Sequence, residues 1–179
     1  MNKKDVLKSI FIRYFLLIIL PLNGLFLFYF ILIPLTLYPL YSLFYCFFDT
    51  ILNFGKSIIY VEGVPIEIIN ACVAGSAYYL LLIFNLSTPN IELSKRTKMI
   101  SFSFLIFLLV NILRIFILSI MYIYHSPFFE IAHKLTWYAG SVVLVIIIWF
   151  YQVKAYKIKE IPFYSDLKFL YKNSFLNRK

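Results

Sequence analysis

Residues 68–89 read IINACVAGSAYYLLLIFNLSTP, which places a cysteine, a glycine and a serine at the head of an otherwise apolar run. The run from 71 to 86 approaches the roughly 20 residues that a helix needs to cross a bilayer. Side chains three and four positions apart share one face of a helix. One stripe of the predicted helix therefore holds Cys72, Gly75, Ser76 and Tyr79. Small and polar stripes of this kind are typical of membrane helices that pack closely.

The rest of the chain is also strongly apolar. Of its 179 residues 63% are hydrophobic and 14% are charged, and further apolar runs cover 10–33, 99–124 and 133–151. These runs predict an all-α fold, a multi-pass transmembrane helical bundle that forms one membrane domain over residues 1–179. The net charge of +9 falls in blocks between the runs. That placement is typical of membrane orientation and argues against a nucleic-acid partner.

The basic blocks orient the predicted spans. Most of the 17 Lys and Arg lie near the N-terminus, in the segment 87–98 or after residue 151. Because positive charge is retained on the cytoplasmic side, we expect residues 1–9 and a basic tail at 152–179 to be cytoplasmic. The segment 87–98 is expected to be cytoplasmic too, and the single span at 71–86 precedes it. Residues 10–54 must therefore cross an odd number of times, and three crossings would need roughly 60 residues. We therefore expect one span at 10–33 and an interfacial or re-entrant segment at 35–54. The alternative is that 35–54 is itself a span, which would place the N-terminus outside.

A short extracytoplasmic β-hairpin is predicted at 55–70, directly before the cysteine helix. Two β-branched stretches flank the turn pair Glu62 and Gly63 there. Residues 71–151 then form the predicted three-helix core. The other cysteine, Cys46, lies among aromatic residues, and we expect it to be an inert buried side chain.

Three polar residues of the core are expected at one depth. Cys72 lies at the outer start of its helix, and at about 1.5 Å of rise per residue Arg114 lies about 22 Å above Met99, in the outer third. His133 follows the outer loop and heads a stripe on the last helix. That stripe comprises His133, Thr136, Trp137, Gly140 and Ser141.

An arginine inside a membrane span costs at least about 2.5–3.5 kcal/mol and is functional by default. Taken one at a time, a membrane cysteine is usually inert and a histidine near a helix end is often an interface residue. Together they predict a cysteine nucleophile, because a nearby cation favours the reactive thiolate form of a thiol. His133 would transfer the proton and Arg114 would stabilise the oxyanion. This chemistry needs no cofactor and no metal.

Four further residues are candidates for supporting this site. Asn111 lies one turn before Arg114 on the same face, and Glu130 lies one turn before His133, where it could orient the imidazole. Gly75 and Ser76 follow Cys72 on its stripe. His125, in the outer loop, is the only competitor for the role of His133.

These residues resemble the archaeosortase/exosortase family. Those multi-pass membrane proteins carry a cysteine motif of the A-C-S-G type, an N-x-x-R segment and a later His or Arg. Here AC at 71–72 begins the first motif, NILR at 111–114 matches the second, and His133 takes the third place. The resemblance covers 57–150, and VAGS at 73–76 replaces the usual Ser-Gly. It implies a short, divergent, archaeal-type member.

The resemblance implies a membrane-embedded cysteine transpeptidase or protease of the cell membrane, with its active site facing outward. Its partners would be exported proteins with a C-terminal sorting signal, which consists of a motif, a hydrophobic span and a basic tail. The enzyme would cleave at the motif through a Cys72 thioester and transfer the product to an amine acceptor such as a membrane lipid. A different class stays open: a non-enzymatic membrane scaffold, or an anion- or lipid-binding transporter subunit in which Arg114 binds a phosphate.

Overall fold

The computed structural model describes residues 3–173, which form a helical bundle with a small sheet at one end. Helices α3 and α4 follow one another, as do α6, a π-helical turn and α7. The elements are α1 Lys3–Ile19, α2 Phe26–Tyr45, β1 Thr50–Asn53, β2 Ile58–Val61, β3 Val64–Glu67, α3 Asn70–Val73, α4 Gly75–Ser87, α5 Leu93–Ile123, α6 Phe129–Leu135, the π-helical turn Thr136–Gly140, α7 Ser141–Ala155 and α8 Tyr164–Asn173.

Four helical stretches of the described chain are long and apolar enough to cross a membrane. They are Phe26–Tyr45, Asn70–Ser87, Leu93–Ile123 and Phe129–Ala155. These stretches indicate a membrane protein, and the prediction of an all-α bundle with a hairpin before the cysteine helix is confirmed.

Helices α4 and α7 both run antiparallel to α5. At one end of α4 the Cys72 carbonyl accepts a hydrogen bond from Asn111, and at the other end the Asn85 carbonyl accepts one from Arg96. Between these ends the ring of Tyr78 packs edge-on against α5. Helix α7 follows the same course, since Ser141 bonds to Arg114 while Gln152 bonds to the Met99 carbonyl. The three helices therefore bring Cys72, Arg114 and Ser141 to the same end of the bundle.

The N-terminal region differs from the predicted single span at 10–33. A turn over 20–25 separates α1 from α2, and both Gly24 and Leu25 adopt left-handed backbone conformations with φ of 59°. The cause is PLNG at 21–24, because proline cannot donate an N–H to a helix and Asn-Gly favours a turn. The apolar run continues through this turn, so hydropathy alone did not reveal it.

Helices α1 and α2, one after the other, replace that single span. The Tyr79 hydroxyl donates to the Leu17 carbonyl over 2.6 Å, which places the end of α1 beside the middle of α4. Ring pairs Phe28–Phe104 and Phe44–Phe116 show that α2 then runs in the same direction as α5. From α1 to the sheet, the described chain thus passes once along the bundle.

Residues 35–54 do not form one separate segment after the first span. Their first part is the second half of α2, which continues through Pro39 and packs against α5. Their last part contains β1, a strand that the sequence analysis did not predict. Residues 46–49, which include Cys46, form the bend between these two elements.

The sheet has the antiparallel order β1-β2-β3. The predicted hairpin is β2 and β3, with Val61 opposite Val64 and with Glu62 and Gly63 at positive φ in the turn. Two consecutive residues at positive φ match the twist of a two-residue hairpin. Strand β1 pairs with the other side of β2, so β3 is an edge strand.

The opposite end of the bundle is closed by buried arginines. The last carbonyls of a helix have no partner within it, and in α4 they accept from Arg96, from Arg13 and from the Phe163 amide. Arg13 also forms a buried ion pair with Asp166 over 2.9 Å. The second half of the basic segment 87–98 is the first turns of α5, with Arg96 buried. Two basic residues of the predicted tail, Arg178 and Lys179, lie outside the described residues.

Candidate functional site

The helix predicted to carry the cysteine is broken just after it. Helix α3 ends at Val73, Ala74 adopts a left-handed conformation with φ of 56°, and α4 begins at Gly75. In a continuous helix the Cys72 carbonyl would accept the Ser76 amide four residues later. The break leaves that carbonyl without a partner in its own helix. Because α3 and α4 are separate helices, Cys72 does not share a continuous helical stripe with Gly75, Ser76 and Tyr79.

The freed carbonyl of Cys72 is held by two side chains of α5. Asn111 Nδ2 donates to it over 3.0 Å, and Arg114 Nη2 donates over 3.1 Å. Arg114 Nη1 donates to Ser141 Oγ, at the start of α7, over 3.2 Å. Arg114 Nε is buried and has no hydrogen-bond partner within residues 3–173. The guanidinium therefore links the cysteine segment to α7, and Asn111 donates a second hydrogen bond to the same Cys72 carbonyl.

A cleft of about 240 Å³ brings the three predicted catalytic residues together. Cys72, Arg114 and His133 all line it. Its walls are the edge of β3 on one side and α6 with the π-helical turn on the other, and α5 forms its floor. The residues that line it also include Pro65, Ile66, Glu67, Ile68, Ala71, Ile115, Leu118, Ser119, Tyr122, Phe129, Thr136 and Trp137.

His133 is positioned by aromatic rings. Its imidazole stacks on Phe129, with ring centres 5.5 Å apart, and meets the Trp137 ring edge-on at 5.6 Å. Within the described chain, no hydrogen bond joins the imidazole to Cys72 or Arg114. His133 thus faces the same space as the thiol from another wall of the cleft.

A π-helical turn, Thr136–Gly140, interrupts the predicted last helix. Its wider hydrogen-bonding pattern inserts one residue into the helical register, and such insertions are frequent at functional sites. Thr136 and Trp137 face the cleft, whereas Ser141 lies beyond the turn and reaches Arg114. The helical spacing from His133 predicted that Ser141 lies on the helix face that carries His133, but it did not predict the hydrogen bond from Arg114.

Gly75 and Ser76 do not join the cleft. They line a separate cavity of about 340 Å³ that borders Arg114 on another side. A Cβ on Gly75 would lie 2.7 Å from Cε1 of Tyr29, so this glycine lets α2 approach α4. Ser76 is exposed in the wall of that cavity.

Three further expectations are corrected by side-chain placement. Glu130 is exposed and pairs with Lys134 over 2.6 Å, because the two lie four residues apart on α6, and it therefore does not orient His133. His125 is exposed in the turn after α5 and is absent from the cleft lining. Cys46 is exposed rather than buried, because α2 ends immediately before it.

Comparisons with protein-family models, with curated proteins and with solved structures find no match to this chain.

Proposed function

We propose that this chain is a membrane-embedded cysteine transpeptidase or protease of the archaeosortase/exosortase type. It would cleave the C-terminal sorting signals of exported proteins in the cell membrane, with its cleft facing outward. One observation carries the proposal: Cys72, Arg114 and His133, which lie far apart in sequence, line a single cleft.

The three residues would supply the groups that acyl transfer needs. Cys72 Sγ gives its proton to His133 and attacks the carbonyl carbon of the scissile peptide bond. The C–N bond breaks, the leaving amine takes the proton from His133, and the acyl group stays on sulfur as a thioester. The acceptor amine then attacks the thioester carbon, its proton passes through His133 to the departing sulfur, and the C–S bond breaks. Water in place of the amine gives hydrolysis.

Substrate is expected to complete the contact between His133 and Cys72. Catalytic hydrogen bonds are often long or poorly aligned in a free enzyme and tighten once substrate binds. A peptide carbonyl lying between the thiol and the imidazole would bring its leaving nitrogen within reach of His133.

Arg114 would contribute in two ways. Its fork holds the Cys72 carbonyl and Ser141, and this fixes the backbone that carries the thiol. Its charge also lies beside the carbon under attack, where it would stabilise the oxyanion in a site of low dielectric constant.

The charge distribution supports an outward-facing cleft. Basic residues near Arg13, Lys95 and Lys154 cluster at the end of the bundle opposite Cys72. Positive charge favours the cytoplasmic side, so the sheet and the cleft would lie outside.

A second function rests on the other cavity beside Arg114. That cavity includes Ser76, Ser141 and Asn70, whose polar groups together with the guanidinium could bind a phosphate. A non-enzymatic scaffold or an anion- or lipid-binding transporter subunit would use Arg114 in this way and would not need the Cys72 thiol.

The test is to map the C-termini of exported proteins by mass spectrometry in cells that carry wild-type protein, Cys72→Ala or Cys46→Ala. We expect a set of proteins to lose a hydrophobic span and basic tail with wild type and with Cys46→Ala, but not with Cys72→Ala. Identical C-termini in all three strains would refute the proposed function and favour the scaffold.

A further inference from the structure

Strand β3 presents an open edge to the cleft. It is the last strand in the order β1-β2-β3, and no other strand of residues 3–173 pairs with its second side. Residues 65–67 of β3 and the next residue, Ile68, line the same cleft as Cys72. Proteins usually protect such edges, because unpaired backbone groups invite another strand to pair.

The backbone groups that face this edge follow from the sheet register. The Ile68 amide donates to the Ser57 carbonyl over 2.9 Å and so points toward β2. Backbone groups alternate in direction along a strand, so those of Ile66 also point to β2, while those of Pro65 and Glu67 point away. Proline fits there because it has no amide to donate. The open edge thus offers the Glu67 amide as donor and the Pro65 and Glu67 carbonyls as acceptors.

We propose that the peptide cleaved by this protein binds as an extended strand that pairs with the open edge of β3. This deepens the proposed function, on which it rests, because strand pairing would guide a peptide carbonyl toward Cys72, five positions after Glu67. Main-chain hydrogen bonds of this kind supply affinity, while side-chain pockets supply specificity. An added strand would lie about 4.8 Å from β3, in the space between β3 and α6.

Charge adds a preference to this binding mode. Glu67 is exposed at the mouth of the cleft, and it forms no ion pair with any residue from 3 to 173. A Lys or Arg near the residue that pairs with Glu67 would therefore be favoured, and an Asp or Glu would be disfavoured. A proline at the paired position would remove a donor to the Glu67 carbonyl.

The first experiment needs no knowledge of the natural motif. The probe is the hexapeptide Thr-Val-Lys-Val-Thr-Cys, activated as a pyridyl disulfide, which is attached to Cys72 of the full chain in the Cys46→Ala background. Hydrogen exchange of the Glu67 amide is then compared before and after attachment. Because tethering raises the effective concentration, we expect exchange to slow by about tenfold or more.

Two matched controls isolate strand pairing. The same peptide with every backbone nitrogen methylated forms the same disulfide but cannot pair, and it should leave Glu67 exchange unchanged. The unmodified peptide attached to Cys46 in the Cys72→Ala background should also leave it unchanged, because Cys46 precedes β1 at the other side of the sheet.

A pair of variants tests the same contact in turnover. Glu67→Pro removes the outward amide and leaves the bonds between β2 and β3 in place, whereas Glu67→Gln removes only the charge. We expect Glu67→Pro to lower kcat/KM about tenfold relative to Glu67→Gln, the effect of one lost hydrogen bond. Hydrogen exchange of the Ile68 amide verifies that the sheet is intact.

Unchanged exchange at Glu67 in the complete Cys72 adduct would overturn strand addition, even if the protein cleaves sorting signals. Protection of Glu67 without any cleavage in cells would support strand addition and would refute the proposed function instead.

Discussion

Arg114 Nη2 lies 3.1 Å from the carbonyl oxygen of Cys72, a residue 42 positions earlier in the chain. This contact exists because the left-handed Ala74 ends α3 and releases a carbonyl that a continuous helix would have used. A membrane-embedded arginine usually needs a carboxylate or several acceptors to offset its desolvation. Here backbone and hydroxyl oxygens of two other helices serve as the acceptors.

Arg114→Lys is predicted to impair turnover severely. Lysine keeps the charge, but it cannot bridge the Cys72 carbonyl and Ser141 at once, since it lacks the planar fork. Loss of one donor to a developing oxyanion typically lowers the rate about 100- to 1000-fold. Binding of a fluorescent signal peptide should stay near wild type, because apolar helix contacts supply most of it. Near-normal processing by Arg114→Lys would show that a point charge suffices, as expected of a phosphate-binding scaffold.

The main parts of the site follow from the sequence because hydropathy and charge bias determine depth. Cys72, Arg114 and His133 each lie near a predictable end of an apolar run, so their convergence needs only the direction of each helix. The break at Ala74 does not follow from the sequence. Alanine rarely adopts positive φ, so no local signal marks it. The tertiary bonds from Asn111 and Arg114 offset that local cost.

Three other features were not predicted correctly, for related reasons. Hydropathy averages over a window, so the turn at Pro21 and Gly24 disappeared inside one apolar run. The π-helical turn shifts the helical register by one residue without any sequence signature, and spacing alone did not link Ser141 to Arg114. Glu130 was predicted to contact His133 from its spacing alone, and that spacing serves Lys134 equally well.

Gly75→Ala is predicted to destabilise the packing of α2 on α4. The new methyl group would lie 2.7 Å from Tyr29 Cε1, so ring or backbone must shift. Overpacking of this kind typically costs about 1–3 kcal/mol. Gly140→Ala is the matched control, because its Cβ would meet Thr136 at an ordinary 3.5 Å. Thermal unfolding in detergent micelles gives the melting temperature of each variant. Equal melting temperatures would show that the Tyr29 ring moves aside without loss of stability.

Asp166→Asn is predicted to loosen the end of the bundle opposite the cleft. The substitution leaves the Arg13 guanidinium buried without its anionic partner, and breaking a buried pair typically costs about 3–5 kcal/mol. Glu130→Gln removes one partner of the exposed Glu130–Lys134 pair and should leave stability unchanged, since exposed pairs contribute little. Denaturant unfolding in micelles measures the free energy of unfolding of both variants. Equal losses in the two variants would contradict the prediction.

Labelling of intact cells tests which end of the bundle faces outward. In a Cys46→Ala, Cys72→Ala background, Lys56→Cys beside the sheet should react with a membrane-impermeant maleimide. Lys159→Cys, between α7 and α8, should react only after the membrane is opened, because the basic end is expected to be cytoplasmic. Both positions are exposed in the folded chain. Labelling of Lys159→Cys from outside would reverse the orientation and place the cleft in the cytoplasm.

The claim that Cys72 carries the acyl group is tested most directly by intact-protein mass spectrometry. Purified protein is mixed with a peptide that spans a cleavage site mapped in cells, and the reaction is stopped with acid before the thioester turns over. We predict a mass increase equal to the acyl fragment, located on the segment that contains Cys72 and released by hydroxylamine. The adduct should persist in Cys46→Ala and vanish in Cys72→Ala. Cleavage of the peptide by Cys72→Ala, or an adduct on any other residue, would contradict the mechanism.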